Sequence, residues 1–227
     1  MSSLFDLTGK VAIVTGSTKG IGKAIAERMA EHGATVVISS RKADACETVA
    51  QAIRDKGGKA VAIPCHVAHK DQLQALVDRT VAECGGIDIL VENAGVNPFL
   101  GPAASMPDDA YERVMGVNVR SNFWLANMAC PHIAARGGGS VIIISSIGGL
   151  RGSEQIGVYG ISKAAPMRSR PASCAPTSPA HCGKTRCCTR SARATRRCSG
   201  SASRTRWPAA RCSWPRPRAI SSPARRS

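Results

Sequence analysis

The sequence has 227 residues, 43% hydrophobic and 20% charged, which fits one globular domain with a short appendage at most. The formal net charge of +16 is unevenly spread, because 15 of the 31 Lys and Arg residues, but none of the 15 acidic residues, follow Ala165. A segment without acids and with few large apolar residues cannot bury a core. We therefore divide the chain into a domain, residues 1–165, and a basic low-complexity tail, residues 166–227, which we predict to be disordered.

Short apolar runs alternate with helical periodicity along the domain. The runs predict strands buried on both faces, at residues 11–14, 35–38, 60–63, 87–91 and 141–144. The intervening periodicity predicts helices around residues 21–29, 45–56 and 73–81 and a long helix within 108–129. This order predicts an α/β fold with a Rossmann-like doubly wound parallel sheet, truncated after the fifth strand.

The domain shows no targeting or metal-binding pattern. Its opening residues lack the basic start and apolar run of a secretory signal. No apolar stretch reaches the roughly 18–20 residues that span a bilayer. The domain's four cysteines lack the spacing of a metal or redox site: Cys46, Cys65, Cys84 and Cys130. We expect a soluble, cytoplasmic protein without a metal.

The first predicted strand leads into a glycine-rich turn, TGSTKGIG at residues 15–22. Glycines let a backbone turn tightly and approach a pyrophosphate at a helix N-terminus. A plain tight turn is the alternative, but its place between first strand and first helix favours a dinucleotide site. The predicted cofactor contacts from this turn are Gly16, Ser17, Thr18, Lys19, Gly20, Ile21 and Gly22.

Four motifs occur in order along residues 5–165. The turn has the spacing TGxxxGxG, and Asn93, Ala94 and Gly95 follow the fourth strand. Asn118 lies in a predicted helix, and Tyr159 and Lys163 form a YxxxK motif, with Ser146 at the end of the fifth strand. Together these motifs resemble the short-chain dehydrogenase/reductase (SDR) family in its classical form, which has a matching helical asparagine and usually reads NNAG after the fourth strand.

The resemblance implies a role for each of these side chains. Tyr159 would be the acid/base, and Lys163, on the same helix face, would stabilise the tyrosinate and hold the nicotinamide ribose. Ser146 would hold the carbonyl or alkoxide oxygen, and Asn118 would anchor a water in a proton relay. The implied cofactor contacts outside the turn are Asn93, Ala94, Gly95, Tyr159 and Lys163.

Charge at the end of the second strand favours NADP over NAD. NAD-preferring members of such folds place an acid there, whereas this chain has Ser40, Arg41 and Lys42 and no acid, with Lys19 as a third cation. The alternative is that Arg41 and Lys42 simply start a solvated helix. His66, followed by Val67, replaces an aspartate that often contacts adenine, and we expect both residues beside the cofactor. Glu92 replaces the first asparagine of NNAG.

Three interpretations of the tail compete. A basic arm could bind nucleic acid or acidic membranes, but it lacks interleaved aromatic residues. Its cysteines at 182, 187, 188 and 198 could bind zinc, but no paired CxxC spacing is present. We favour an out-of-frame tail, because off-frame GC-rich coding sequence yields Arg, Ala, Pro, Ser and Cys. A shifted reading of residues 166–172 permits Asn-Ala-Ile-Ala-Pro-Gly, which resembles the family's C-terminal half.

The predicted function is an oxidoreductase, of carbonyl reductase type, that passes hydride between NADP(H) and a carbonyl or secondary alcohol. One alternative is a catalytically defective frame-shifted product, since Pro166 is predicted to interrupt the catalytic helix. The other is a protein whose basic tail binds polyanions. We expect a small-molecule substrate, no membrane or nucleic-acid partner, and a homo-oligomer for the intact family member.

Overall fold

The computed structural model describes residues 3–168, and the interpretations of the tail concern residues outside that range, apart from Pro166. Five strands form one sheet: β1 (Val11–Thr15), β2 (Thr35–Ser39), β3 (Lys59–Ala62), β4 (Ile89–Glu92) and β5 (Ser140–Ile143). Six α-helices accompany them: α1 (Gly20–Glu31), α2 (Ala43–Asp55), α3 (Lys70–Cys84), α4 (Asp108–Met115), α5 (Ser121–Ala135) and α6 (Gly157–Arg168).

The sheet is parallel throughout and has the order β3-β2-β1-β4-β5. The central strand β1 pairs with β2 through Ala12 and Val36 and with β4 through Ile13 and Leu90. Strand order reverses at β1, so a crevice opens beyond the carboxyl ends of β1 and β4. Ligands bind at this switch point in open α/β sheets.

The core lies on both faces of the sheet because successive strand side chains point to opposite sides. Ala12 and Val14 of β1 pack with buried residues of α1 and α2. Ile13 packs on the other face with buried residues of α3 and α5. This double burial explains the uninterrupted apolar runs and confirms the predicted fold class.

The long predicted helix is present but interrupted. Helices α4 and α5 are joined by a π-helical segment, Gly116–Arg120, and the helical stretch extends to Ala135 rather than residue 129. A π-helical segment widens a helix locally and often marks a functional position. Here it contains Asn118.

The prediction that Pro166 interrupts the catalytic helix was wrong. Helix α6 runs from Gly157 to Arg168 with Pro166 inside it, as α5 contains Pro131. Proline removes one helical hydrogen bond, but α6 remains packed on the short turn Ile147–Gly149. A Cβ on Gly149 would lie 2.9 Å from the Lys163 backbone carbon.

None of the helices within residues 3–168 combines the length and the apolar character that a membrane span needs.

Candidate active site

The turn between β1 and α1 forms the floor of the crevice. Gly16 and Gly20 have φ values of +65° and +57°, which glycine adopts without steric cost. A Cβ on Gly22 would fall 2.6 Å from the Gly16 carbonyl oxygen, so this position has no room for a side chain. Within the described residues, no side chain caps the N-terminus of α1. Its first N–H groups are therefore available to an anion.

Hydrogen bonds tie the ends of β1, β2 and β4 together beneath this turn. The Ser17 hydroxyl accepts from the Ser39 N–H at 2.8 Å. The Asn93 amide Nδ2 donates to the carbonyl oxygens of Thr15 and Gly16 at 2.9 and 3.2 Å. Thr15 Oγ1 accepts from the backbone N–H groups of Asn93 and Ala94 at 3.0 and 3.1 Å. The turn is thus fixed before any ligand arrives.

Above the turn lies a cleft of about 770 Å³, large enough for a dinucleotide. Most of the predicted cofactor residues line it: Gly16, Thr18, Lys19, Gly20, Ile21, Ser40, Arg41, His66, Val67, Asn93, Ala94 and Gly95. Ser17 and Gly22 are buried behind this surface and shape the turn instead. Tyr159 and Lys163 are outside the lining.

Unpaired cations dominate the cleft. Lys19, Arg41, Arg113 and Arg120 line it, and none forms an ion pair with an acid in the described part of the chain. Glu112 is the one acidic side chain in the lining formed by the described residues. Such a surface fits a ligand with several phosphates.

His66 lies among these cations. Burial lowers the pKa of His66, and the nearby His69, Arg41 and Arg113 lower it further. Its Nδ1 accepts from the Ala68 N–H at 3.2 Å. The neutral ring therefore presents Nε2–H as a hydrogen-bond donor.

The sequence analysis missed part of the lining, including Arg113 and Arg120. The two arginines flank Asn118 and are seven residues, or two helical turns, apart. This spacing could have indicated that they lie on the same side of the helical stretch. The other unpredicted lining residues are Cys65, Ala68, Val96, Glu112, Gly116 and Val117.

Asn118 joins the cleft to α6. Its Nδ2 donates to the Val96 carbonyl and to the Ser162 hydroxyl, both at 2.9 Å, and its Oδ1 accepts from the Val96 N–H at 2.8 Å. The Ser162 hydroxyl in turn donates to the Tyr159 carbonyl at 2.7 Å. Both amide protons of Asn118 are therefore committed to holding the site together.

Lys163 lies behind the cleft wall at Gly95 and is 7% exposed. Its Nζ donates to the Ile144 carbonyl at 3.0 Å and lies 5.9 Å from the centre of the Tyr159 ring. Burial lowers the pKa of Lys163. A Cβ on Gly95 would lie 3.1 Å from this Nζ and 3.4 Å from Asn118 Oδ1. Gly95 thus connects the cleft wall to the catalytic motif.

Ser146 precedes the turn that packs on α6. Its Oγ accepts from the Gly148 N–H at 3.2 Å. A Cβ on Gly148 would lie 3.6 Å from this Oγ and 3.8 Å from Tyr159 Cδ1. The structure therefore brings together the four predicted catalytic residues. Gly148 lies between Ser146 and Tyr159, and Ser162 of α6 links Asn118 to the Tyr159 carbonyl. Within residues 3–168, no cluster of His, Cys, Asp and Glu side chains could hold a metal ion.

Comparisons with known proteins agree with this architecture. The family model for short chain dehydrogenase matches residues 10–168. Dehydrogenase/reductase SDR family member 4 from Bos taurus is 40% identical over 159 residues, which are 70% of this chain and 57% of that protein. The Caenorhabditis elegans protein of the same name is 40% identical over 156 residues, 68% of this chain and 60% of that protein.

Solved structures show the same likeness. A 7α-hydroxysteroid dehydrogenase in complex with NADH and 7-oxo glycochenodeoxycholic acid superposes with a TM-score of 0.69 at 37% identity, covering 73% of this chain and 65% of that one. A gluconate 5-dehydrogenase from Burkholderia cenocepacia in complex with NADP and tartrate gives 0.68 at 36% identity, covering 71% and 63%.

The fold and crevice define a doubly wound protein of the dinucleotide-binding class. The chain belongs to the short-chain dehydrogenase/reductase family. It spans less than two thirds of the length of the relatives described above.

Proposed function

We propose that this chain is an oxidoreductase that transfers hydride between NADP(H) and a small carbonyl or secondary alcohol substrate. The observation that carries the proposal is the position of Lys163. Its buried ammonium lies between the Tyr159 ring and the cleft wall at Gly95. Its Nζ donates to the Ile144 carbonyl, and no acid forms an ion pair with it in the described structure.

The residues of the cleft fit a nicotinamide dinucleotide. The open N-terminus of α1 and the turn at Gly16 and Gly20 would hold the pyrophosphate, and Ala94 and Gly95 would border the nicotinamide half. When bound, the nicotinamide supplies or accepts the hydride.

Unpaired charge supports NADP over NAD. Arg41 and Lys19 both line the cleft, Arg41 just after β2 and Lys19 in the turn after β1. A hydrogen bond joins these two segments, since Thr18 Oγ1 donates to Ser40 Oγ at 3.2 Å. A 2′-phosphate would supply the anion that these cations lack in the described structure. The known structures leave the choice open, because one contains NADH and another NADP.

Proton transfer falls to Tyr159, positioned by α6. Its hydroxyl would give a proton to the substrate oxygen during reduction and take one during oxidation. The Lys163 ammonium beside the ring favours the tyrosinate form electrostatically. Burial lowers the pKa of Lys163, which prepares it to pass a proton onward.

Ser146 and Asn118 would assist. The Ser146 oxygen accepts from Gly148, and its own proton has no acceptor among the described residues, so it can donate to the substrate oxygen. Asn118 would act as a positioning residue, since its amide protons hold Val96 and Ser162. One lone pair of its Oδ1 remains for a relay water.

The test uses the two tyrosines of the chain as a matched pair. NADPH consumption by the full chain is followed with a panel of small aliphatic and aromatic ketones. Tyr159→Phe should lower kcat/KM by about 10²-fold or more, as expected for loss of an acid/base group, while NADPH binding persists. Tyr111→Phe, an exposed position on α4 outside the cleft, should change it by less than about twofold. Equal rates for both variants would remove Tyr159 from the mechanism.

A second candidate function is dinucleotide binding without turnover. In the described structure β5 pairs with β4 alone, so one side of this strand carries no ladder. NADPH binding with no consumption of NADPH across the ketone panel would favour this second function.

A further inference from the structure

A second cavity lies at the end of β4, on the side opposite to the hydrogen bonds of Asn93. It has a volume of about 380 Å³, is lined by β4, β5, the π-helical segment, α5 and α6, and is partly open to solvent. Its walls are largely apolar and include Phe123, Ala126, Ile143 and Pro166. Positions 119, 122, 123 and 126 contribute one face of the helical stretch, at spacings of three and four residues.

Glu92 is the acidic group in this cavity. Its side chain is 1% exposed, and neither carboxyl oxygen has a hydrogen-bond partner within the described residues. A buried, unpaired carboxylate is costly, and a protein normally surrounds it with donors or a cation. Burial accordingly raises the pKa of Glu92 to about 8.

The neighbouring polar side chains do not satisfy Glu92. Arg120 also borders the cavity, but its guanidinium carbon lies 5.4 Å from the Trp124 ring centre and it forms no ion pair with Glu92. Asn122 donates its Nδ2 to the Asn118 carbonyl at 3.0 Å. The described walls therefore offer a largely apolar surface, the polar side chains of Arg120, Asn122 and Asn127, and one carboxyl group that pairs with none of them.

We propose that this cavity is a binding site for a small apolar molecule with one primary amino group, whose ammonium pairs with the Glu92 carboxylate. Charge complementarity selects the amine, and the largely apolar walls select its hydrocarbon body. The site is independent of the proposed oxidoreductase function.

Binding changes the protonation of the carboxyl group. At pH 7 most Glu92 carboxyls carry a proton, because the pKa of about 8 lies above that pH. An arriving ammonium keeps its own proton, and the carboxyl group releases one to the buffer as the ion pair forms. Binding should therefore release close to one proton per molecule at pH 7, and less above pH 8.

Isothermal titration calorimetry of the full chain tests the proposal, with benzylamine as the probe and benzyl alcohol as its neutral analogue. We expect benzylamine to bind about tenfold or more tightly than benzyl alcohol. Titration in buffers of different ionisation enthalpy should show the proton release. The Glu92→Gln variant should lose both the preference and the proton release.

Two control variants separate the site from general effects. Glu154→Gln removes an exposed carboxyl group and should leave benzylamine binding unchanged. Ala126→Leu narrows the cavity and should weaken both probes together. If Glu92→Gln binds benzylamine as tightly as the unaltered chain, or if the unaltered chain binds neither probe, the proposal is overturned. Should Glu92→Gln fail to fold, absence of proton release in the unaltered chain would overturn it equally.

Discussion

Glu92 and Asn93 are adjacent residues at the end of one strand, yet their surroundings are opposite. Asn93 takes part in hydrogen bonds with the side chain of Thr15 and the carbonyls of Thr15 and Gly16. Glu92, directed to the other face, has no partner for either carboxyl oxygen in the described structure. The cofactor face of the sheet end is thus satisfied in advance, whereas the opposite face retains an uncompensated polar group.

The difference between Asn93 and Glu92 shows what holds a polar side chain in place before a ligand binds. Around Asn93, backbone carbonyls of β1 and of the turn that follows it converge, so one short amide satisfies those of both Thr15 and Gly16. Around Glu92, the neighbours are side chains of α5 and α6, of which Phe123 and Ala126 carry no donor and Asn122 donates to the Asn118 carbonyl instead. Two residues in sequence can therefore have opposite effects on stability, and the following variants measure those effects.

The largest expected effect is at Glu92. Its pKa of about 8 exceeds the unfolded value, so the folded state binds more protons between about pH 4.5 and pH 8. Stability from the protonated carboxyl is present at low pH and falls as pH rises through this window. Between pH 5 and pH 8, the free energy of unfolding of the unaltered chain should fall by about 3 kcal/mol more than that of the Glu92→Gln variant. Urea unfolding of both proteins across this range measures the difference.

A constant offset between the two unfolding curves would show that the pKa of Glu92 is the same in the folded and the unfolded chain. In that case the contrast between the two faces would be wrong. The comparison needs both proteins, because other carboxyl groups titrate in the same way in each.

A smaller effect is expected at Thr15, where the substitution lowers the stability of the fold instead of removing a source of instability. Its Oγ1 is buried and accepts from the N–H groups of Asn93 and Ala94. Thr15→Val preserves the shape and leaves both donors unpaired, which should destabilise the fold by about 2 kcal/mol at any pH. Thermal unfolding measures this cost, and Thr48→Val, at an exposed position on α2, is the control.

The smallest stability effect is expected at Asn93. The substitution Asn93→Ala removes two donated bonds to partly buried carbonyls, which retain access to the cleft and its water. We expect a loss of about 1 kcal/mol, measured by urea unfolding. Because the turn loses its brace, NADPH affinity should fall as well. A variant as stable and as tight as the parent would mean that the turn is fixed by other contacts.

The sequence predicted the features that depend on local pattern. Apolar runs located the strands to within two residues. The expected burial on both faces holds for β1, but it was wrong for β5, where Ile142 is 39% exposed. The glycine spacing predicted the turn because backbone geometry itself demands glycine at Gly16, Gly20 and Gly22. The family motif predicted that Asn118, Ser146, Tyr159 and Lys163 would meet, and their roles in catalysis stay predictions.

The surroundings of a side chain in the folded protein were not predictable from the sequence pattern. Glu92 was recognised as a departure from the family motif, but its lack of partners depends on residues far away in the chain. Arg113 and Arg120 belong to a helical stretch whose orientation toward the cleft is set by packing. Pro166 was expected to interrupt a helix that tertiary contacts maintain.

The most direct test of the proposed function is an equilibrium titration of the full chain with NADPH and with NADH, followed by cofactor fluorescence. NADPH should bind about tenfold or more tightly than NADH, and Arg41→Asp should reduce or reverse that preference. Equal affinity for the two cofactors, unchanged by Arg41→Asp, would contradict the assignment of NADP. Absence of binding by either cofactor would contradict the assignment of the cleft itself.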